Sequence, residues 1–147
     1  MNNTGKTEQL MFRRISLVLL LMRIGVFMMM AVWGLDKFAR PEHAVAVFST
    51  FYGVGGVTQF IPYVIGAIQL AVFTGFLLGY RKRITYGLVL LMHALSTLIA
   101  FPLYLNPYVD DPSNPNILFW AAWPVLAACF GLYYLRDLDT RFVVDKS

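Results

Sequence analysis

The sequence predicts an all-α integral membrane protein. The expected architecture is a four-helix bundle with N and C termini cytoplasmic and a short interfacial helix in the outer loop between helices 1 and 2. Three observations predict it. Of the 147 residues, 59% are hydrophobic and only 14% are charged, against roughly a quarter in ordinary soluble domains. Mean hydropathy is +0.63. Four apolar runs, each near the ~20 residues that span the hydrocarbon layer as a helix, divide the chain. Lys and Arg collect at alternate ends of those runs.

The runs place helices at about 15–37, 60–80, 84–105 and 117–135 within one transmembrane domain, with cytoplasmic tails over 1–13 and 138–147. The first run is too long for the apolar region of a signal peptide, and no small-x-small cleavage site follows it. Asn2-Asn3-Thr4 matches a glycosylation sequon, but the expected orientation leaves it cytoplasmic and silent.

Orientation follows from the basic residues. Lys6, Arg13 and Arg14 precede the first run; Arg81, Lys82 and Arg83 separate the second and third; Arg136, Arg141 and Lys146 follow the fourth. The opposite side carries only Lys37 and Arg40, with Asp110 and Asp111 in its second loop. Positive charge stays inside. On the outer side, Pro41 can open a short helix with Val45, Phe48 and Tyr52 on one face, ended by Gly53 and Gly55-Gly56. The other outer loop, "FPLYLNPYVDDPSNPN", has four prolines and reads as irregular.

Ala67, Ala71, Gly75 and Gly79 recur every four residues, with Ala127 and Gly131 in the last run. Such stripes let helices approach closely. Packing within the monomer is the first reading and a homodimer the alternative.

Polar residues inside the runs are the candidate site. At ~1.5 Å per residue, Arg23 lies about 13 Å above Arg14, His93 about 15 Å above Arg83, and Gln69 about 18 Å above Arg81. Thr97 sits one turn above His93. These four residues form an expected mid-membrane polar layer and are the candidate ligand-binding set. Intramembrane ionisable groups are functional candidates by default. No acidic residue falls at that level: Asp36 is at the outer end and Asp137 at the cytoplasmic end. Arg23 is therefore left to neutral acceptors, snorkelling, water or an acceptor on a ligand. A purely structural layer, with His93 and Gln69 bonded to each other, is the competing reading.

Other chemistry is weaker. No metal site is expected. Met28-Met29-Met30 cannot converge on one ion, because successive helical residues point about 100° apart. Haem would need a second axial ligand beside His93. The lone Cys129 excludes an intrachain disulfide. Trp33, Trp120 and Trp123 fit an aromatic belt. No basic run interleaved with aromatics points to nucleic acid.

The chain resembles the DoxX family of small four-helix membrane proteins. The resemblance rests on "LLMRIGVFMMMAVWGLDKF" and "IPYVIGAIQLAVFTGFLLGYRKRITYGLVLLM", most of Leu20 to Met92, while the last helix fits only in length and place. It implies a bacterial or archaeal cytoplasmic-membrane bundle, some of whose relatives are subunits of quinone-linked oxidoreductases. The family pattern often carries a glutamate in helix 2 where this chain has Gln69. That removes a natural partner for Arg23 and a proton carrier.

Two functions follow as expectations. In the first, the protein is an accessory subunit of a membrane oxidoreductase system. It binds a quinone or another lipophilic small molecule through Arg23, Gln69, His93 and Thr97, with electrons supplied by a partner redox protein. The chain has no cofactor motif of its own; a quinone is the cofactor this reading would bring. In the second, it is a non-enzymatic membrane scaffold, assembly or lipid-binding protein with a structural polar core. A transporter ranks third, since no pair of broken helices is evident.

Overall fold

The computed structural model describes residues 3–58, 60–108 and 116–145. They form helices α1 (Asn3–Ala39), α2 (Pro41–Tyr52), α3 (Phe60–Leu77), α4 (Lys82–Ile99), α5 (Phe101–Tyr104) and α6 (Ala122–Tyr134). Short 3-10 segments cover Asn116–Ala121 and Arg136–Leu138. No strand occurs among the described residues. Asn2, Asp110, Asp111 and Lys146, used above for the sequon and the charge distribution, lie outside them.

Among the described residues, three helical stretches are long and apolar enough to cross a membrane: Gly5–Ala39, Phe60–Leu77 and Asn116–Tyr134. The third expected span, 84–105, is not among them. Its helix ends at Ile99, and α5 follows after Ala100. Pro102 explains the break, because its ring clashes with a continuing helix and it brings no N–H.

Two other expectations change. The tail expected over 1–13 is largely helix: α1 begins at Asn3 and runs for 37 residues, about 55 Å. Within the tail expected over 138–147, residues through 145 are described. They fold back against the bundle, as set out below. By contrast, α2 opens at Pro41 and ends where Gly53 turns left-handed (φ 66°), its N–H donating to Phe48 O.

The core is assembled from α1, α3, α4 and α6. Leu19, Val26, Met30, Phe73, Phe76, Tyr86, Val89, Cys129 and Leu132 are buried together. On α1 the buried positions are Ser16, Leu19, Arg23, Val26, Met30 and Gly34, a spacing of three and four that marks one helix face. Arg23 stands on that face. The three consecutive methionines fan out, with Met28 exposed, Met29 half-buried and Met30 buried.

Helix α4 carries its polarity inward. Lys82, Thr85, Tyr86, Val89, His93 and Thr97 are buried. Ile84, Leu88, Leu91, Leu95 and Leu98 are exposed. A helix facing water shows the opposite pattern.

Helices α1 and α3 approach closely at Gly66, where a Cβ would lie 2.7 Å from a Phe38 ring carbon and 3.1 Å from Lys37 Cβ. The four-residue stripe expected on this helix is divided. Ala67 and Ala71 are exposed, whereas a Cβ on Gly75 would lie 3.1 Å from Thr85 Cγ2. Gly66, one position off the stripe, makes the tight contact because the buried face of α3 is set by Pro62, Gly66, Phe73 and Phe76.

Candidate functional site

The polar centre of the molecule forms where the C-terminal tail meets α1 and α4. After α6, the segment Arg136–Leu138 makes one 3-10 turn, and Asp139 then enters the bundle. Its Oδ2 lies 3.2 Å from Arg23 Nη1, the two side chains being 0% and 1% exposed. Tyr86 closes the triangle. Its hydroxyl accepts from Arg23 Nη1 at 3.2 Å and donates to Asp139 Oδ2 at 2.7 Å. The Tyr86 ring is held edge-on against Phe76, centroids 4.8 Å apart.

The tail backbone adds two acceptors for the guanidinium, while Arg23 Nε and Asp139 Oδ1 stay buried without a hydrogen-bond partner. Arg23 Nη2 donates to Arg141 O at 2.5 Å and to Phe142 O at 3.3 Å. Phe142 has φ 49°, a left-handed conformation that a bulky residue seldom adopts. Beyond it, Val144 N donates to Leu78 O and Asp145 N to Gly79 O, at 2.8 and 3.4 Å. The tail thereby occupies carbonyls that the end of α3 leaves open. Further anchors are Ser16 Oγ to Thr140 Oγ1 at 3.1 Å, Lys82 Nζ to Asp139 O at 3.4 Å, and Arg141 Nη2 to Arg13 O at 3.5 Å.

Gly79 makes room for this arrangement. It adopts φ 61°, and a Cβ there would sit 2.5 Å from Val143 Cγ1 and 2.9 Å from Arg23 Nη1. Arg23 therefore reaches the turn between α3 and α4. Side chains on a helix lean toward its N-terminus, and on α1 that direction is toward this turn.

The expectation that Arg23 lacks a buried counter-ion is overturned by Asp139. Asp139 lies beyond the last apolar helix, and the fold-back of the tail brings it to Arg23. The expected four-residue layer also divides. Arg23 bonds to none of Gln69, His93 or Thr97. Its partner Tyr86 lies seven positions before His93 on α4, about 10 Å along the helix.

His93 and Thr97 do come together. Thr97 Oγ1 donates to His93 O at 2.7 Å, and Ser96 Oγ donates to the same carbonyl at 2.9 Å. His93 Nε2 donates to Ala122 O at 3.0 Å, tying α4 to the start of α6. These hydroxyls bond back to the helix that carries them, as Ser and Thr within helices commonly do. Gln69 has a different environment: its Oε1 is buried without a hydrogen-bond partner.

At the opposite end, Asp36 accepts from Arg40 Nε at 2.7 Å, and His43 Nδ1 lies 2.5 Å from its other oxygen. Tyr104 packs its ring 5.7 Å from Trp120 and 5.6 Å from Trp123. Among the described residues, no three His, Cys, Asp or Glu side chains are grouped to hold a metal.

Comparison with known proteins finds no matching family model, no matching curated protein and no matching solved structure.

Proposed function

We propose that the chain is an integral membrane protein of four crossings that acts without chemistry of its own, as a scaffold, assembly or lipid-binding subunit. Its buried arginine serves the fold. The observation that carries this reading is the Arg23–Tyr86–Asp139 cluster. A guanidinium waiting for a ligand's acceptor would be left with its charge unanswered. Here a carboxylate, a hydroxyl and two carbonyls of the same chain answer it.

The same features support a topology. The inward polarity and outward leucines of α4 support a fourth crossing beside the three long apolar helices. Arg81, Lys82, Arg83, Arg136 and Arg141 gather at the end where the tail docks, which supports both termini in the cytoplasm. On that reading α2 lies at the outer surface. The resemblance of Leu20 to Met92 to the DoxX family supports a bacterial or archaeal cytoplasmic membrane and a role beside a partner.

A second reading, a lipophilic ligand such as a quinone, is favoured by one observation. Gln69 Oε1 is a buried acceptor with no partner, as are Arg23 Nε, Asp139 Oδ1 and the Tyr104 hydroxyl among buried polar atoms, and such groups call for an explanation. Mass spectrometry of small molecules carried by the protein in mild detergent separates the two. The scaffold reading expects wild type and Gln69→Leu to carry the same bulk lipids. A quinone carried by wild type and lost from a folded Gln69→Leu variant would replace it with the ligand reading.

A further inference from the structure

The basic end of the bundle holds a second feature that the buried cluster does not use. A cleft of about 350 Å³ opens there, lined by Arg81, Lys82, Arg83, Ile84, Arg136, Asp137 and Asp145. Four cations face two carboxylates, a surplus of two positive charges. Arg136 is partly committed: its Nη1 donates to Tyr133 O at 2.8 Å, its guanidinium lies 5.0 Å from the Tyr133 ring, and its Nε is 4.0 Å from Asp137 Oδ1.

The remaining three cations belong to the turn into α4. Lys82 is the informative one. Its side chain is buried, 5% exposed, yet its ammonium has no carboxylate within ion-pair distance among the described residues. Among the described residues its one hydrogen bond is the 3.4 Å contact to Asp139 O, which leaves donors of a three-donor group unused there. Arg81 and Arg83 flank it and are exposed. Arg81 is held with φ 44°, outside the ordinary range for its type. Helix α4 starts here with no acidic residue in its first turn and no side-chain cap, so the positive end of its dipole adds to the same field.

The geometry points to a binding site for a phosphate-bearing anion in this cleft, with Lys82 as its buried donor and Arg81 and Arg83 as its outer clamp. A phosphate group suits it better than a carboxylate, because its several oxygens match several separate cations. The group can arrive on an acidic lipid headgroup at the membrane surface or on a soluble phosphate compound. The lipid source rests on the membrane reading above, whereas the site itself does not.

The test uses the full chain in mild non-ionic detergent, with native mass spectrometry after addition of phosphatidylglycerol, phosphatidylcholine or inorganic pyrophosphate. The variant is Arg81→Gln/Arg83→Gln, both exposed positions. Arg13→Gln/Arg14→Gln, also exposed, removes equal charge away from the cleft. Wild type is expected to hold phosphatidylglycerol over phosphatidylcholine, or to hold pyrophosphate. The cleft variant loses that binding by roughly tenfold or more, and the control pair keeps it. Displacement of phosphatidylglycerol by pyrophosphate identifies a site that reads phosphate itself; failure to displace identifies a lipid-headgroup site. Equal loss in both pairs, or a wild type that neither prefers phosphatidylglycerol nor holds pyrophosphate, overturns the proposal. Failure of the membrane reading would appear instead in the labelling experiment described below.

Discussion

Arg23 on α1 and Asp139 in the C-terminal tail form a buried ion pair, Nη1 to Oδ2 at 3.2 Å, with almost no exposure on either side. Residues near opposite ends of the chain thereby lock together. The pair makes the tail part of the bundle. It also makes the tail's docking dependent on one arginine in the first helix.

Tyr86 bridges the two charges, so its hydroxyl is separable from its ring. Tyr86→Phe keeps the ring against Phe76 and removes a donor to Asp139 and an acceptor for Arg23. The expected cost is about 1–3 kcal/mol, the usual consequence of leaving a buried polar group short of a partner. Chemical unfolding in mild detergent measures it.

Gly79 should tolerate no side chain. A left-handed alanine costs roughly 1–2 kcal/mol in itself, and the added methyl would press on Val143 and Arg23. Gly79→Ala is expected to undock the tail, so limited proteolysis should cut residues 140–145 faster than in wild type. Gly131→Ala, whose Cβ would meet only Met22 Cε at 3.5 Å, should leave the cleavage rate unchanged.

The divided stripe on α3 gives a paired prediction. Gly66→Leu must displace Phe38 and Lys37, and overpacking of that kind typically costs about 1–3 kcal/mol. Ala67→Leu, one residue along on an exposed face, should change stability by less than about 0.5 kcal/mol. Melting temperatures in detergent compare them.

Topology is checked by single cysteines. Cys129 is buried, so it should give little background with a membrane-impermeant thiol reagent. Cysteines placed at Glu8 and Asp137, both exposed, should label only after permeabilisation, and one at Glu42 should label in intact cells. Labelling of Glu8 and Asp137 positions on opposite sides would contradict four crossings.

Much of this architecture was readable in the residues. The three long apolar helices follow from run length and composition, and α2 from Pro41 at one end and Gly53 at the other. The break at Ala100 was available in Pro102 but was outweighed by the apolar run around it. The site was harder. That Arg23 faces inward is visible in the spacing of Ser16, Leu19, Val26 and Met30 only once the helix rotation is known. Its partner lay beyond the last span, in a segment whose composition reads as a tail. A buried arginine without an acid in the spans was itself the signal that an acid must come from elsewhere, and Asp139 stands four residues after Leu135. Depth counting along straight helices cannot register a fold-back. Arg23, Gln69 and His93 have Cα positions at similar depth, but the long arginine side chain reaches toward the helix N-terminus and away from the other two.

The central claim is that Arg23 is answered by Asp139 and not by a ligand. A double-mutant cycle tests it most directly: Arg23→Met, Asp139→Leu and the two combined, with unfolding followed in mild detergent. Each single variant leaves a buried charge unpaired and should cost about 3–5 kcal/mol. The combined variant should cost less than the sum of the two, with a coupling of about 1–3 kcal/mol. Strictly additive losses, or an Asp139→Leu variant as stable as wild type, would contradict the account and return Arg23 to the search for a ligand.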